Sequence, residues 1–447
     1  MKPYATFLLS LFACLAQAAQ DRPNILYIMV DDLGFGDLSS HGATDLKSPH
    51  VDKLMESGLR FDNFYANCPV CSPTRASFMS GRFPDLVGVP GVIRTYETSN
   101  WGYLSQDVPM LPEMLKDAGY HTAHVGKWHL GLEPENHPNE RGFDLFHGFL
   151  GDMMDDYYKH QRHGKHYMQL QKKDIFPKGH ATDLFTDWAS DYLESRKSSC
   201  APFFLYLAYN APHTPIQPPQ DWFEKVKARE KGIDDKRAKL VALIEHMDDG
   251  IGKVMDTLRT TGLDKNTLVI FTSDNGGQVN VGGRNGIYKG GKQQMDDGGI
   301  RSTTCVVWPG KVKAGIRSGV VAQTMDLTAT LLEIAGVKVE HHIDGVSLLP
   351  TLEGKTQDLS QRFLIWVRLE GNKYQGRPYY AIRQGDWKLT QNTAFEPMTL
   401  YNLAKDPKEE RPVENAPKVK RELLLELQKH FQRAGAYPWQ GSRTVGW

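Results

Sequence analysis

The sequence predicts an α/β protein: a mixed, mostly parallel sheet flanked by helices, followed by a smaller C-terminal subdomain of antiparallel sheet plus helix. Three observations predict it. Short apolar runs of strand length alternate with longer segments of helical period, the pattern of layered α/β folds. Each apolar run is followed at once by a cluster of polar residues. Beyond about Gly345 the texture changes to closely spaced short segments.

The first run, residues 25–30, is apolar throughout, as expected of a strand buried on both faces. Residues 122–125, 203–209 and 268–272 read the same way. Helical patterns lie at 108–118, 181–196 and 240–258. Residues 151–179 are polar and rich in Tyr and His; they read as a long loop, a kind of segment that usually carries function or is disordered. After Gly345, residues 362–369, 379–383, 387–391 and 399–403 read as short antiparallel strands. Val419, Leu423, Leu427 and Phe431 then mark one face of a helix. The implied division is an export signal at 1–18, a main α/β domain at 21–345 and an α+β subdomain at 346–447.

A chain of 447 residues, 40% hydrophobic and 24% charged, can bury a large core. Its 53 basic and 53 acidic residues cancel, which argues against nucleic acid as the main partner. Any anionic ligand must therefore be drawn by a local group of cations. Lys2, the apolar stretch 7–15 and Ala16-Gln17-Ala18 form an export signal, so a secreted or periplasmic protein is expected. That stretch is too short to span a bilayer stably, and no later segment looks transmembrane. A lipoprotein signal ending at Cys14 is the alternative, disfavoured by Phe12. Removal of Cys14 leaves Cys68, Cys71, Cys200 and Cys305, too few for a disulfide scaffold.

The polar clusters carry the chemistry. Asp31-Asp32 follows the first run, Lys127 and His129 follow the second, His213 the third, and Asp274-Asn275-Gly276-Gly277 the fourth. Ligands of α/β sheets bind beyond the carboxyl ends of strands, so if these strands are neighbours the clusters converge. Each has an ordinary reading as well: an N-cap for Asp31 or Asp32, solvated loop residues for Lys127 and His129, a rigid proline-flanked loop for His213, a turn for Asp-Asn-Gly-Gly. Asp31, Asp32, Asp274 and Asn275 are oxygen donors that suit a hard cation, calcium more readily than magnesium with its strict octahedron. The cysteines and histidines lack zinc spacing.

The most specific signal is Cys71-Ser72-Pro73-Thr74-Arg75. Pro73 fits the first turn of a helix, which puts residue 71 at the N-terminus, where free N–H groups favour an anion. Arg75 adds a fixed cation one turn on. Cys68-Pro69-Val70-Cys71 also reads as a redox pair, and Cys71 as a plain buried thiol; the Pro and Arg at fixed offsets weigh against both.

At this motif the chain resembles the type I formylglycine-dependent sulfatases of the alkaline phosphatase superfamily, and in particular bacterial carbohydrate sulfatases. The resemblance continues through residues 23–34, 119–131, 211–215, 273–277, 290–301, 383–389 and 400–407, in order. It implies an alkaline-phosphatase-like fold and hydrolysis of sulfate esters, most readily those of a sulfated polysaccharide or oligosaccharide. It implies that a maturation enzyme oxidises Cys71 to formylglycine. The hydrated aldehyde attacks sulfur, the alcohol leaves, and deprotonation of the second hydroxyl expels sulfate. By position, Asp31, Asp32, Asp274, Asn275 and residue 71 resemble the ligands of calcium. Arg75 and Lys127 resemble the groups that stabilise formylglycine, His129 the base, and His213 and Lys292 the binders of sulfate and the leaving oxygen. Tyr288-Lys289-Gly290 stands where the family often has Leu-Arg-Gly, and Asp297 where it often has Glu. The alternatives are an arylsulfatase, a phosphoester or phosphonate hydrolase, and a non-catalytic glycan-binding relative. For sugar contacts the residues singled out are Tyr157, Tyr158, His160, Arg162, His163, His166 and Tyr167, with Arg94, Trp101 and Tyr103.

Overall fold

The computed structural model describes residues 22–95, 102–370 and 377–439. The export signal and Trp101 lie outside them. Among the described residues, the strands in chain order are β1 (Asn24–Val30), β2 (Leu59–Tyr65), β3 (His121–Lys127), β4 (Leu145–Phe149), β5 (Gln161–Arg162), β6 (Lys165–His166), β7 (Met168–Leu170), β8 (Lys173–Asp174), β9 (Phe203–Ala208), β10 (Thr267–Ser273), β11 (Thr304–Val307) and β12 (Ile316–Gln323). All but the β5–β6 hairpin join one sheet in the order β12-β2-β11-β10-β1-β9-β3-β4-β7-β8. The four apolar runs of the sequence are the four adjacent strands β10-β1-β9-β3, and all three of their pairings are parallel.

Their apolarity has a direct cause. Successive side chains of a strand point to opposite faces. Leu26, Ile28 and Val30 pack in one core with helices Ala181–Arg196 and Asp235–Thr260, while Ile25, Tyr27 and Met29 pack in the other with helices Cys71–Ser80 and Thr324–Ile334. A strand covered on both sides leaves little room for polar residues, and those within the four runs, Thr122 and His124 in β3 and Thr272 in β10, are themselves fully buried.

The sheet is mixed because β11 runs antiparallel between β10 and β2, and β7 and β8 add antiparallel strands at the far edge. Residues 151–179 are thus less loop-like than expected: β7 and β8 extend the main sheet and β5–β6 form a hairpin, in pieces of two or three residues that are too short to show a period. The helix expected at 108–118 is Leu111–Asp117, and the one expected at 240–258 begins earlier, where Asp234 caps it by accepting from the Arg237 N–H at 3.0 Å.

The C-terminal strands β13 (Phe363–Leu369), β14 (Pro378–Gln384), β15 (Trp387–Gln391) and β16 (Thr399–Asn402) form an antiparallel meander, followed by helix Pro417–Ala434. Ile365 and Val367 face that helix, and Leu364 and Trp366 face Tyr65, Met295 and Ile300 of the larger part. Among the described residues, no helix is long and apolar enough to cross a membrane.

Candidate active site

Because β10, β1, β9 and β3 are parallel neighbours, their carboxyl ends share one edge. Val30 pairs with Ser273, and Ala208 pairs with both Met29 and Gly126. The residues that follow each strand are therefore brought together: Asp31-Asp32, Asp274-Asn275, His213 and Lys127. Two glycines let the backbones close in. A Cβ on Gly276 would lie 1.9 Å from the Gly298 carbonyl oxygen, and one on Gly126, at φ +105°, 2.0 Å from that of Ala208.

Helix Cys71–Ser80 starts at this edge with Cys71 as its first residue. The Cys71 Sγ donates to Asp31 Oδ1 at 3.3 Å. Arg75, fully buried, grips Asp274 Oδ2 through Nε at 3.1 Å and Nη2 at 2.7 Å, and its Nη1 donates to the Tyr206 hydroxyl at 3.3 Å. Lys127 Nζ lies 2.5 Å from Asp31 Oδ2, and Lys292 Nζ 2.7 Å from Asp32 Oδ2. His213 Nε2 is 3.6 Å from the same Asp32 oxygen, while its Nδ1–H donates to the Thr214 carbonyl at 2.7 Å. His129 donates from Nε2 to the Ile93 carbonyl at 2.8 Å, so in the neutral ring Nδ1 holds a lone pair; that atom is buried and has no partner. Asp32 and His129 both sit in left-handed backbone, φ 69° and 60°, a conformation held by surrounding structure and concentrated at functional sites.

Three carboxylates face three cations here. Burial works against the ionised form of Asp31, but Lys127, His213, Arg75 and Lys292 outweigh it and hold the carboxyl well below its usual range. Asp274 goes the other way: burial, then repulsion from Asp31 and Asp32, lifts it to about 7 in spite of Arg75. Burial and Asp31 push the Cys71 thiol well up, so an unmodified thiolate is disfavoured here. Burial, then Lys127 and Arg75, hold His129 well below the usual histidine range and keep it neutral. Burial and Lys292 also lower His213, whereas Asp32, Cys71 and Asp31 overcome burial to keep Lys292 charged.

These residues fit a hard divalent cation. Ligand atoms of Asp31, Asp32, Cys71 and His213 lie within 4.8 Å of one another. The Asn275 carboxamide donates from Nδ2 to Asp32 Oδ1 at 2.7 Å, leaving its buried Oδ1 without a hydrogen-bond partner. An orphaned oxygen beside crowded carboxylates is the environment a dication relieves.

A family model described as Sulfatase matches residues 23–337, and one described as N-sulphoglucosamine sulphohydrolase, C-terminal, matches residues 283–436. The chain belongs to the sulfatase family. It is a sulfuric ester hydrolase. It is 32% identical to mouse (Mus musculus) N-acetylgalactosamine-6-sulfatase over 406 residues, 85% of this chain and 74% of that protein. Human (Homo sapiens) arylsulfatase A is 30% identical over 462 residues, 90% of this chain and 85% of that one. Among solved structures, Ps i-CgsB in complex with k-i-k-neocarrahexaose superimposes with a TM-score of 0.85 at 29% identity, covering 95% of this chain and 97% of the other.

In this sulfatase, Cys71, His129, His213 and Lys292 open into a pocket of about 200 Å³. Its outer wall was only partly legible. Of the residues singled out for sugar contacts, Arg94 and Arg162 line it. Among the described residues no Phe, Tyr or Trp lines it; Trp101 lies outside them. Tyr157 is buried, its hydroxyl 2.9 and 2.8 Å from the Asn210 and His213 carbonyls, where it supports the His213 loop from behind. His160 donates from Nε2 to the Gly179 carbonyl at 3.0 Å. Sequence reasoning missed Asp152, Arg368 and Glu370, which also line the pocket. A charged residue inside the otherwise apolar strand Phe363–Leu369 was the available signal for Arg368.

Proposed function

We propose that this sulfatase desulfates a carbohydrate and that residue 71, matured to formylglycine, is its nucleophile. The observation that carries the reading is the placement of Cys71: first residue of a buried helix, 3.3 Å from Asp31, at the floor of a pocket walled by Arg94, Asp152, Arg162, Arg368 and Glu370. The carbohydrate also draws support from Ps i-CgsB, whose solved complex holds k-i-k-neocarrahexaose. Conversion of Cys71 would supply a hydrated aldehyde as nucleophile, and calcium held by Asp31, Asp32, Asp274, Asn275 and residue 71 would supply charge that steadies it and the sulfate oxygens.

The chain's own groups then divide the work. Arg75 and Lys127 fix the acidic cluster against which residue 71 rests. His129, neutral and with Nδ1 unpartnered, takes the proton from residue 71 that lets sulfate depart. Lys292 stays charged and offsets the developing charge on the leaving oxygen, while His213, its Nδ1–H engaged, has Nε2 for the sulfate group. Cys71 is 2% exposed, so a formylglycine-generating enzyme must reach it before the chain folds. Export guided by residues 1–18 completes the proposal.

The test is release of sulfate from a panel of defined sulfated mono- and oligosaccharides, beside 4-nitrophenyl sulfate and 4-nitrophenyl phosphate, with the residue 71 peptide identified by mass spectrometry. Preference for a sulfated sugar by formylglycine-bearing protein is expected. Full activity with Cys71 unmodified, or preference for the phosphate ester, overturns the reading.

A further inference from the structure

The outer wall of the pocket is built from acid–arginine pairs supplied by separate segments. On one side Arg162 donates from Nε to Asp152 Oδ1 at 2.9 Å and from Nη2 to Asp152 Oδ2 at 3.4 Å, and its Nη1 meets Asp155 at 2.7 Å. On the other, Glu370 accepts from Arg94 Nη2 at 2.9 Å and from Arg368 Nε at 3.0 Å, and Arg368 Nη1 donates to the Gln293 carbonyl at 2.6 Å, one residue from Lys292. The carboxylates are deeply buried, Asp152 5% and Glu370 1% exposed, as is Arg368 at 1%, while the side chains of Arg94 and Arg162 reach outward at 14%. Thr95, beside Arg94, hydrogen-bonds Asp152 Oδ1 at 3.4 Å and so links the two sides.

A flexible arginine loses entropy whenever it is ordered by a ligand. Here a buried carboxylate has already ordered each guanidinium, and a carboxylate can accept more bonds than the single long contact made by Asp152 Oδ2. The wall thus offers donors and acceptors side by side at fixed positions. Neighbouring hydroxyls on a saturated ring need that combination, since each both donates and accepts. An aryl ring has neither.

Resting on the carbohydrate reading above, we infer that Asp152–Arg162 and Glu370–Arg94–Arg368 form a sugar-hydroxyl subsite, and that selectivity comes from free ring hydroxyls flanking the sulfate ester rather than from stacking. A site built to bond a hydroxyl rejects the analogue that lacks it far more strongly than an apolar pocket rejects a missing methylene.

The experiment is a cycle on the formylglycine-bearing, calcium-loaded enzyme. Wild type, Asp152→Asn and Arg162→Gln are assayed on 4-O- and 6-O-sulfated galactosides and N-acetylgalactosaminides, on their monodeoxy analogues, and on 4-nitrophenyl sulfate, with melting temperatures recorded. For the sugar that wild type prefers, removing one ring hydroxyl is expected to lower kcat/KM by at least tenfold. Each variant is expected to lose that discrimination and to lower the sugar-to-aryl ratio of kcat/KM by at least tenfold, mostly through KM. Variants that lower both substrates equally, or deoxy analogues turned over as well as their parents by wild type, overturn the inference while leaving the sulfatase reading intact. Wild type that accepts only 4-nitrophenyl sulfate overturns the carbohydrate reading, and this inference with it.

Discussion

Two clusters of buried charge flank residues 290–301, and they are built to opposite ends. The one at the strand edge holds Asp31, Asp32 and Asp274 against Arg75, Lys127 and Lys292, with Asn275 Oδ1 and His129 Nδ1 buried and unpartnered. The other lies where the C-terminal sheet meets the larger part. There Asp297 Oδ1 is 2.8 Å from Lys388 Nζ, its Oδ2 accepts from Arg301 Nη2 and from the Tyr65 hydroxyl, both at 2.8 Å, and Lys388 also lies 2.8 Å from Glu409 Oε1. Arg383 of β14 donates to the same Tyr65 hydroxyl at 2.5 Å. Each cluster holds one carboxyl down and lifts another. Burial is outweighed at Asp297 by Lys388, Arg301 and Arg383, and at Asp31 by Lys127, His213 and Arg75, while burial raises both Glu409 and Asp274 to about 7. The clusters therefore differ in the atoms they leave over. The difference teaches what each cluster is for. A closed network joins two sheets; an open one leaves oxygen and nitrogen atoms for a cation and a proton.

Cys71→Ala should separate the clusters most sharply. Turnover of the sulfated sugar is expected to fall roughly 10³-fold or more, while the melting temperature moves little, because the side chain faces a pocket. Wild-type-like turnover by this variant would show that the open cluster is not the reactive one. Lys388→Met should do the reverse. It strips one partner from a buried network, which typically costs about 3–5 kcal/mol, read in chemical denaturation, while kcat falls much less. Adding Glu409→Gln should return part of that loss; a double variant no more stable than the single would mean that the network is not coupled.

Calcium should act on the open cluster alone. At a hundredfold excess over its Kd it should raise stability by about 2.7 kcal/mol relative to chelated protein, and Asp274→Ala should abolish the increment. Equal stabilisation of the variant would move the metal elsewhere. The smallest effect concerns pH. Burial, with Asp297 and Asp296, outweighs Lys388 and lifts Glu409 from 4.5 to about 7. A carboxyl raised in the folded state contributes stability fully present below 4.5 and lost as pH rises through about 7. Glu409→Gln should flatten that part of the stability profile, and an unchanged profile would assign the titration to another group.

The parallel core was legible because β1, β9 and the middle of β10 are apolar on both faces; β3, with Thr122 and His124 in it, was the least marked of the four. Strands β2 and β12 were not, since Asp62 and Asn63 in one and Arg317 and Ser318 in the other interrupt the run; β12 is the edge strand and β2 its neighbour, and these positions are not fully buried. The residues singled out after the four central strands all lie in one cluster. Each had an ordinary reading alone, and only their position after adjacent strands distinguishes them.

What the sequence by itself determined is whatever local chemistry specifies: buried strands from unbroken apolar runs, the helix that opens at Cys71 from its Pro and Arg offsets, and the oxygen-rich donor set. The tertiary structure decided which distant charges meet. Asp152, Arg162, Arg368 and Glu370 come from a polar segment and from the end of β13, whose local patterns say nothing of one another. Whether a carboxylate is held down like Asp297 or pushed up like Asp274 depends on the balance of neighbours and burial, and that balance exists only once the chain has folded.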